Sequence, residues 1–167
     1  MQAPTLRVCL LGAPGAGKSR WLDTIANAAG VSIETSGEQR SITTITASRR
    51  YVIVDAPAQS VEHAIGGSDA TLLVVAARES VMPMTRRHVE LARHAGAPVA
   101  LILLDEEGVD DVELTDLVEM EVRELCSVFE MNGDAIPVVR SRASRAAHVS
   151  SPVAAIANAL DRFVRGG

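Results

Sequence analysis

Leu6-Arg7-Val8-Cys9-Leu10-Leu11 runs straight into Gly12-Ala13-Pro14-Gly15-Ala16-Gly17-Lys18-Ser19, and a helical pattern opens behind it at Trp21, Leu22 and Ile25. An apolar strand, a loop of the form GxxxxGK[ST] and a helix, in that order, spell a phosphate-binding P-loop. Its glycines let successive backbone N–H groups turn inward around anionic oxygens. The helix behind it presents the positive end of its dipole to the same anion. Lys18 is placed to reach β- and γ-phosphates, and Ser19 to ligate Mg²⁺. The chain has fifteen arginines and one lysine, and that lysine is Lys18. A compact point charge has been kept at the one place where a phosphate chain wants it.

Away from the loop, composition narrows the classes. A chain of 167 residues with 47% hydrophobic content is expected to fold as one domain with a full core. A net charge of −5 disfavours sequence-independent nucleic-acid binding. Four aromatic residues, Trp21, Tyr51, Phe129 and Phe163, are too few for a base-stacking platform. Cys9 and Cys126 follow no metal or disulfide spacing and read as reduced core residues of a cytoplasmic protein. No run of membrane-spanning length is present, so no membrane anchor is expected.

The rest of the chain alternates strands and helices. The pattern predicts strands at Leu6–Leu11, Ser41–Ala47, Arg50–Asp55, Ala70–Ala77, Val99–Leu104 and Ile136–Val139. It predicts helices at Lys18–Ala29, Val61–Gly66, Thr85–Ala95 and Asp110–Phe129, and a last one starting at Ser151-Pro152. Val31–Gln39 has no strong period and reads as a loop. Ser48-Arg49 reads as a tight hairpin link between two β-rich runs. In the long helix, Asp110 and Glu113 are expected as a capping pair, with Leu114, Leu117, Val118, Val122, Leu125 and Phe129 turned to the core. The expected fold class is α/β: a three-layer P-loop NTPase with a mostly parallel sheet and one antiparallel hairpin strand. Tyr51-Val52-Ile53-Val54-Asp55 ends in a carboxylate, and an acid at the end of a strand beside a P-loop is the Walker-B position that serves Mg²⁺.

From Asp55 onward the chain resembles the GTP-binding domain of bacterial elongation factor Tu. The matching text is Leu73–Ala77, Met82–His88, His94–Pro98, Val109–Asp111 and above all Leu117-Val118-Glu119-Met120-Glu121-Val122-Arg123-Glu124-Leu125. Arg40-Ser41-Ile42-Thr43 is similar to the family's Arg-Gly-Ile-Thr switch segment. The resemblance implies a small G-protein-like domain over residues 1–167, without the two β-barrels that follow it in the elongation factor. It implies that Gly12, Ala13, Pro14, Gly15, Ala16, Gly17, Lys18, Ser19 and Arg20 hold the phosphates of GTP or GDP. Ser19, Thr43 and Asp55 would serve Mg²⁺. Gln59 stands where the family has a water-orienting His, and glutamine does that work in Ras-like GTPases, so Gln59 and Lys18 are the catalytic candidates.

The departures fall around the ring of the nucleotide. The family glycine before the water-positioning residue is Ala58, whose Cβ limits the backbone angles open to a closing switch. The guanine-reading Asn-Lys-x-Asp has become Leu104-Asp105-Glu106-Glu107, in which Glu107 alone keeps a carboxylate for the N1 and N2 donors. Of the Ser-Ala-Leu/Lys loop, Arg142-Ala143-Ser144 keeps only Ala143, whose N–H would meet O6; Arg142 either stacks on the base or is solvated. The carboxylates from Asp105 to Glu113 either oppose a triphosphate or form a solvated loop. Two readings stay open. One is an atypical, slow-hydrolysing GTPase switch with weakened guanine selectivity and an unidentified protein partner or activator. The other is a pseudo-GTPase kept as a protein-interaction module.

Overall fold

The computed structural model describes residues 4–46, 49–141 and 152–165. In chain order the elements are β1 (Thr5–Leu11), α1 (Lys18–Ala29), β2 (Glu34–Ser36), β3 (Gln39–Ile45), β4 (Arg50–Asp55), α2 (Val61–Gly66), β5 (Ala70–Ala76), α3 (Pro83–His94), β6 (Val99–Asp105), α4 (Val112–Val128), β7 (Val138–Arg140) and α5 (Pro152–Arg165). The strands form one sheet of seven in the order β2-β3-β4-β1-β5-β6-β7. Every pairing is parallel except β2 with β3 and β3 with β4, so β3 alone runs against the rest.

The central strands are apolar on both faces because helices cover both. Val8 and Leu10 of β1, Leu72 and Val74 of β5, and Leu101 and Leu103 of β6 turn toward α1 and α5, where Trp21, Leu22, Ile25, Ile156 and Leu160 meet them. The alternate residues, Cys9, Leu11, Leu73, Val75, Ile102 and Leu104, turn toward α2, α3 and α4. That period of two within continuous hydrophobic runs is the mark of a sheet buried from both sides. Each fully buried Leu or Ile contributes on the order of 1.5–3 kcal/mol.

Several expected boundaries move. Residues 31–39 are not all loop: Glu34–Ser36 pairs with β3 through a turn at Gly37 and Glu38. All three β2 residues are exposed, so no hydrophobic alternation announced them. The long helix starts at Val112, and its cap is Asp111, not Asp110: the Asp111 carboxylate accepts from the N–H groups of Glu113 and Leu114. Its inward stripe is Thr115, Val118, Val122, Leu125 and Cys126. Leu114 and Leu117 lie one residue off that stripe and are 40% and 51% exposed. The third helix begins at Pro83 rather than Thr85, and the last strand is Val138–Arg140 rather than Ile136–Val139. Ser48 of the expected hairpin link and Ser151 lie outside the described residues.

Candidate functional site

From β1 the chain passes through α1 to the hairpin edge, then returns past β1 to fill the other edge. Such a reversal opens a crevice at the carboxyl ends of the strands, and residues 12–19 lie in it. Gly12 passes so close to β5 that a Cβ there would stand 2.9 Å from the Val74 carbonyl oxygen. Gly17, at φ +101°, caps α1, a left-handed conformation that L side chains resist. The Ala16 N–H donates to the Ala13 carbonyl at 3.0 Å, and Trp21 donates to Gly17 at 3.0 Å, so the loop passes without a break into α1. The N-terminal end of α1, with its positive dipole, therefore opens directly onto the loop, as an anion cradle requires.

Asp55 ends β4, directly beside β1. Lys18 Nζ stands 4.0 Å from Asp55 Oδ1, with both side chains largely buried. Burial pushes the Asp55 carboxyl above its ordinary value, and Lys18 and Arg40 pull it back only in part. A partly desolvated carboxylate of this kind gains from a cation. Ser19, next after Lys18 in α1, would add a hydroxyl oxygen, and oxygen donors of these two kinds are what Mg²⁺ takes, so the chemistry of the residues fits the metal.

Thr43 does not join them. It sits in mid-strand opposite Val52, whereas Arg40 is the residue opposite Asp55. Three strand positions separate the two levels, roughly 10 Å. The ladder with β4 holds Thr43 three positions from the level of Asp55, so this conformation does not bring it to the carboxylate with which it was expected to share the metal. Arg40 instead donates to Asp23 of α1 at 2.6 Å.

Gln59 lies in a single helical turn, Ala58–Ser60, after Pro57. Its amide donates to the Glu38 carboxylate at 2.5 Å, across from the β2–β3 turn. Gln59 also lines a cavity of about 310 Å³ with Gly12, Lys18, Met84, His88 and Leu91. His88 had no motif to announce it. It is 5% exposed, and among the described residues its Nδ1 is the buried side-chain atom without a hydrogen-bond partner. Burial, and secondarily Lys18, hold its pKa below the ordinary value of 6.5.

The side expected to meet the ring is occupied by charge pairs. Of the two readings of the acidic stretch, the solvated loop does not hold for Asp105, which is 4% exposed, or for Glu106, which is 7% exposed. The Asp105 carboxylate accepts from Arg20 Nη2 at 3.1 Å and from the Glu107 N–H at 3.0 Å, and pairs with Arg78 at 3.5 Å. Glu107, expected to read guanine, is ion-paired with Arg20. The Glu106 N–H donates to Ser141 Oγ at 2.8 Å. Asp110, Asp111 and Glu113 are exposed, and Asp111 caps the helix. Ala143, with Arg142 and Ser144, lies outside the described residues. A larger cleft, about 640 Å³ between Pro98, Met131, Ile136 and Phe163, opens at the far end of β6, away from the loop. No helix among the described residues is long and apolar enough to cross a membrane.

The family model described as "Elongation factor Tu GTP binding domain" matches residues 25–164. The match begins inside α1, so the loop at 12–19 is read from its motif and its geometry.

Proposed function

The chain belongs to the elongation factor Tu GTP-binding domain family, and from that premise we propose that it is an atypical GTPase that holds Mg²⁺-GTP or Mg²⁺-GDP on residues 12–19, hydrolyses slowly and acts as a switch for a protein partner. The observation that carries this is the approach of Lys18 to Asp55 within 4.0 Å at the mouth of the loop. Lys18 and the loop amides neutralise and orient the β- and γ-phosphate oxygens. Ser19 and Asp55 hold Mg²⁺, which when bound spreads the charge that develops on those oxygens. Gln59 orients the attacking water by hydrogen bonding and is not a strong base. Ala58 restricts the closing movement that would bring its N–H to the γ-phosphate, and the Glu38 carboxylate holds the Gln59 amide; both make turnover slow.

Guanine selectivity is weakened. Leu104 supplies no hydrogen bond to a base, and Glu107 is engaged by Arg20. A site that hydrogen-bonds its ligand rejects analogues by large factors, and one that has lost those partners does not. Titration of Mg²⁺-GTP, GDP, ATP and ADP by calorimetry tests this. Comparable affinities for guanine and adenine nucleotides are expected; strict guanine selectivity at nanomolar affinity refutes it. The same engagement of Gln59 favours a second reading, a pseudo-GTPase that serves as an interaction module. Nucleotide binding with no turnover over hours selects that reading.

A further inference from the structure

We propose that Arg78, anchored by Asp105, is a positioning residue that holds the phosphate loop from its ring side, so that the loop keeps its shape without contacts to a base. The inference rests on the reading of residues 12–19 as a polyphosphate site. Arg78 lies just past β5 and reaches the loop directly: its Nη2 donates to the Gly15 carbonyl at 2.7 Å. Its Nη1 meets the Asp105 carboxylate at 3.5 Å. Asp105 touches the loop as well, since a Cβ on Gly17 would stand 2.8 Å from Asp105 Oδ2. Two chain segments, the ends of β5 and β6, thus press on Gly15 and Gly17 from one side.

The chemistry suits a clamp. Asp105 is buried at the end of a central strand and cannot swing out. Its charge is compensated by Arg78, by Arg20 and by the Glu107 N–H, so the carboxylate is a fixed anchor and not an unpaired burial. A guanidinium presents several donors in one rigid plane, so one Arg78 head group serves the carbonyl and the carboxylate together. Gly15 sits at φ +80° between the buried Ala13 and Ala16, and has no side chain of its own to fix it. Held at its carbonyl by Arg78, and with the next amide, Ala16 N–H, donating to the Ala13 carbonyl at 3.0 Å, the Gly15 peptide is fixed from both ends.

The test is calorimetry on the full chain with Mg²⁺-GDP, Mg²⁺-ADP and Mg²⁺-tripolyphosphate. Arg78→Ala is expected to weaken all three by the same factor, about ten- to a hundredfold, the range for loss of a charged hydrogen bond. The unliganded melting temperature should stay within a few degrees, because Arg20 and the Glu107 N–H still compensate Asp105; a purely structural role would lower it and leave the affinity of the folded chain unchanged. Arg78→Lys, which offers one head group for two acceptors, should recover part of the loss, and it serves as the test if Arg78→Ala does not fold. Asp105→Asn should add little in the Arg78→Ala background. A loss larger for GDP than for tripolyphosphate would make Arg78 a ring contact and overturn the clamp, as would unchanged affinity. If the unaltered chain binds none of the three, the polyphosphate reading fails and the clamp falls with it.

Discussion

Lys18 and Asp55 face each other across the mouth of the loop at 4.0 Å, one from the head of α1 and the other from the end of β4. Strand order makes this possible, because β4 is the direct neighbour of β1 and the two are in parallel register. Lys18→Ala should weaken nucleotide binding at least about a hundredfold, since a charge-assisted contact to phosphate inside a cradle has no substitute in the chain. Asp55→Asn should leave binding in EDTA unchanged and abolish most of the gain that Mg²⁺ gives. Calorimetry with and without the metal separates the two effects.

Gln59 and Glu38 make the second prediction. The Gln59 amide is held by a carboxylate on the hairpin turn, 21 residues away in sequence. A γ-phosphate arriving nearby repels that carboxylate and frees the amide. Glu38→Ala should therefore raise the single-turnover rate of GTP hydrolysis several-fold, while Gln59→Ala should lower it about tenfold or more. Neither should move GDP affinity. A drop in rate with Glu38→Ala would mean that the carboxylate helps orient the water instead.

These pairs also mark how far the sequence could be read. The loop, the Asp55 strand and the three layers were legible because each is written locally, in glycine spacing and in runs of two-faced apolar residues. Both cysteines are buried and free, as their lack of pattern implied. What was not legible depends on register or on distant partners. Thr43 was assigned to Mg²⁺ by its place in a switch motif, but an antiparallel ladder fixes it opposite Val52. Glu107 kept the right charge for guanine, but Arg20, which it meets in space, lies far along the chain. Leu114 and Leu117 fit a helical period as well as Thr115 does, and only the packing of α4 into the shared core chooses between the stripes. β2 is polar and exposed throughout, so its existence rests on backbone pairing alone.

Arg123 closes the turn between α4 and β7. Its Nη1 donates to the carbonyls of Gly133 and Ile136, both at 2.7 Å, and its Nη2 donates to Glu119 at 2.9 Å. Arg123→Ala would take its charged donor from the Ile136 carbonyl, while the Gly133 carbonyl keeps the Ile136 N–H and Glu119 keeps Arg140, a cost of about 1.5–3 kcal/mol. Gly133 is packed beneath the same helix so closely that a Cβ would fall 1.9 Å from the Arg123 carbonyl oxygen. Gly133→Ala should therefore cost more than about 3 kcal/mol, because backbone must move to admit it. Urea unfolding, with unchanged slope, would give both values. The helix is the stretch closest to the elongation factor in text, and this stapled turn is one physical reason for its composition.

His88 gives the pH prediction. Its ring is buried beside Lys18, in a cavity that Glu62 and Arg87 also line, and those two are paired with each other at 3.4 Å. Burial first, and Lys18 second, hold its folded pKa below 6.5. In the unfolded chain the imidazole takes up a proton near that ordinary value, while the folded one stays neutral. Between the two pKa values the unfolded state binds more protons, so stability rises with pH there and is lost as pH falls below about 6.5. The slope contributed by one such group approaches about 1.4 kcal/mol per pH unit. Urea unfolding of the unaltered chain at pH 7.5, 6.5 and 5.5 should show that loss, and His88→Gln, which does not titrate, should flatten it. Parallel pH profiles for the two chains would mean that the acid sensitivity arises elsewhere and that His88 takes its proton in the folded state as readily as in the unfolded one.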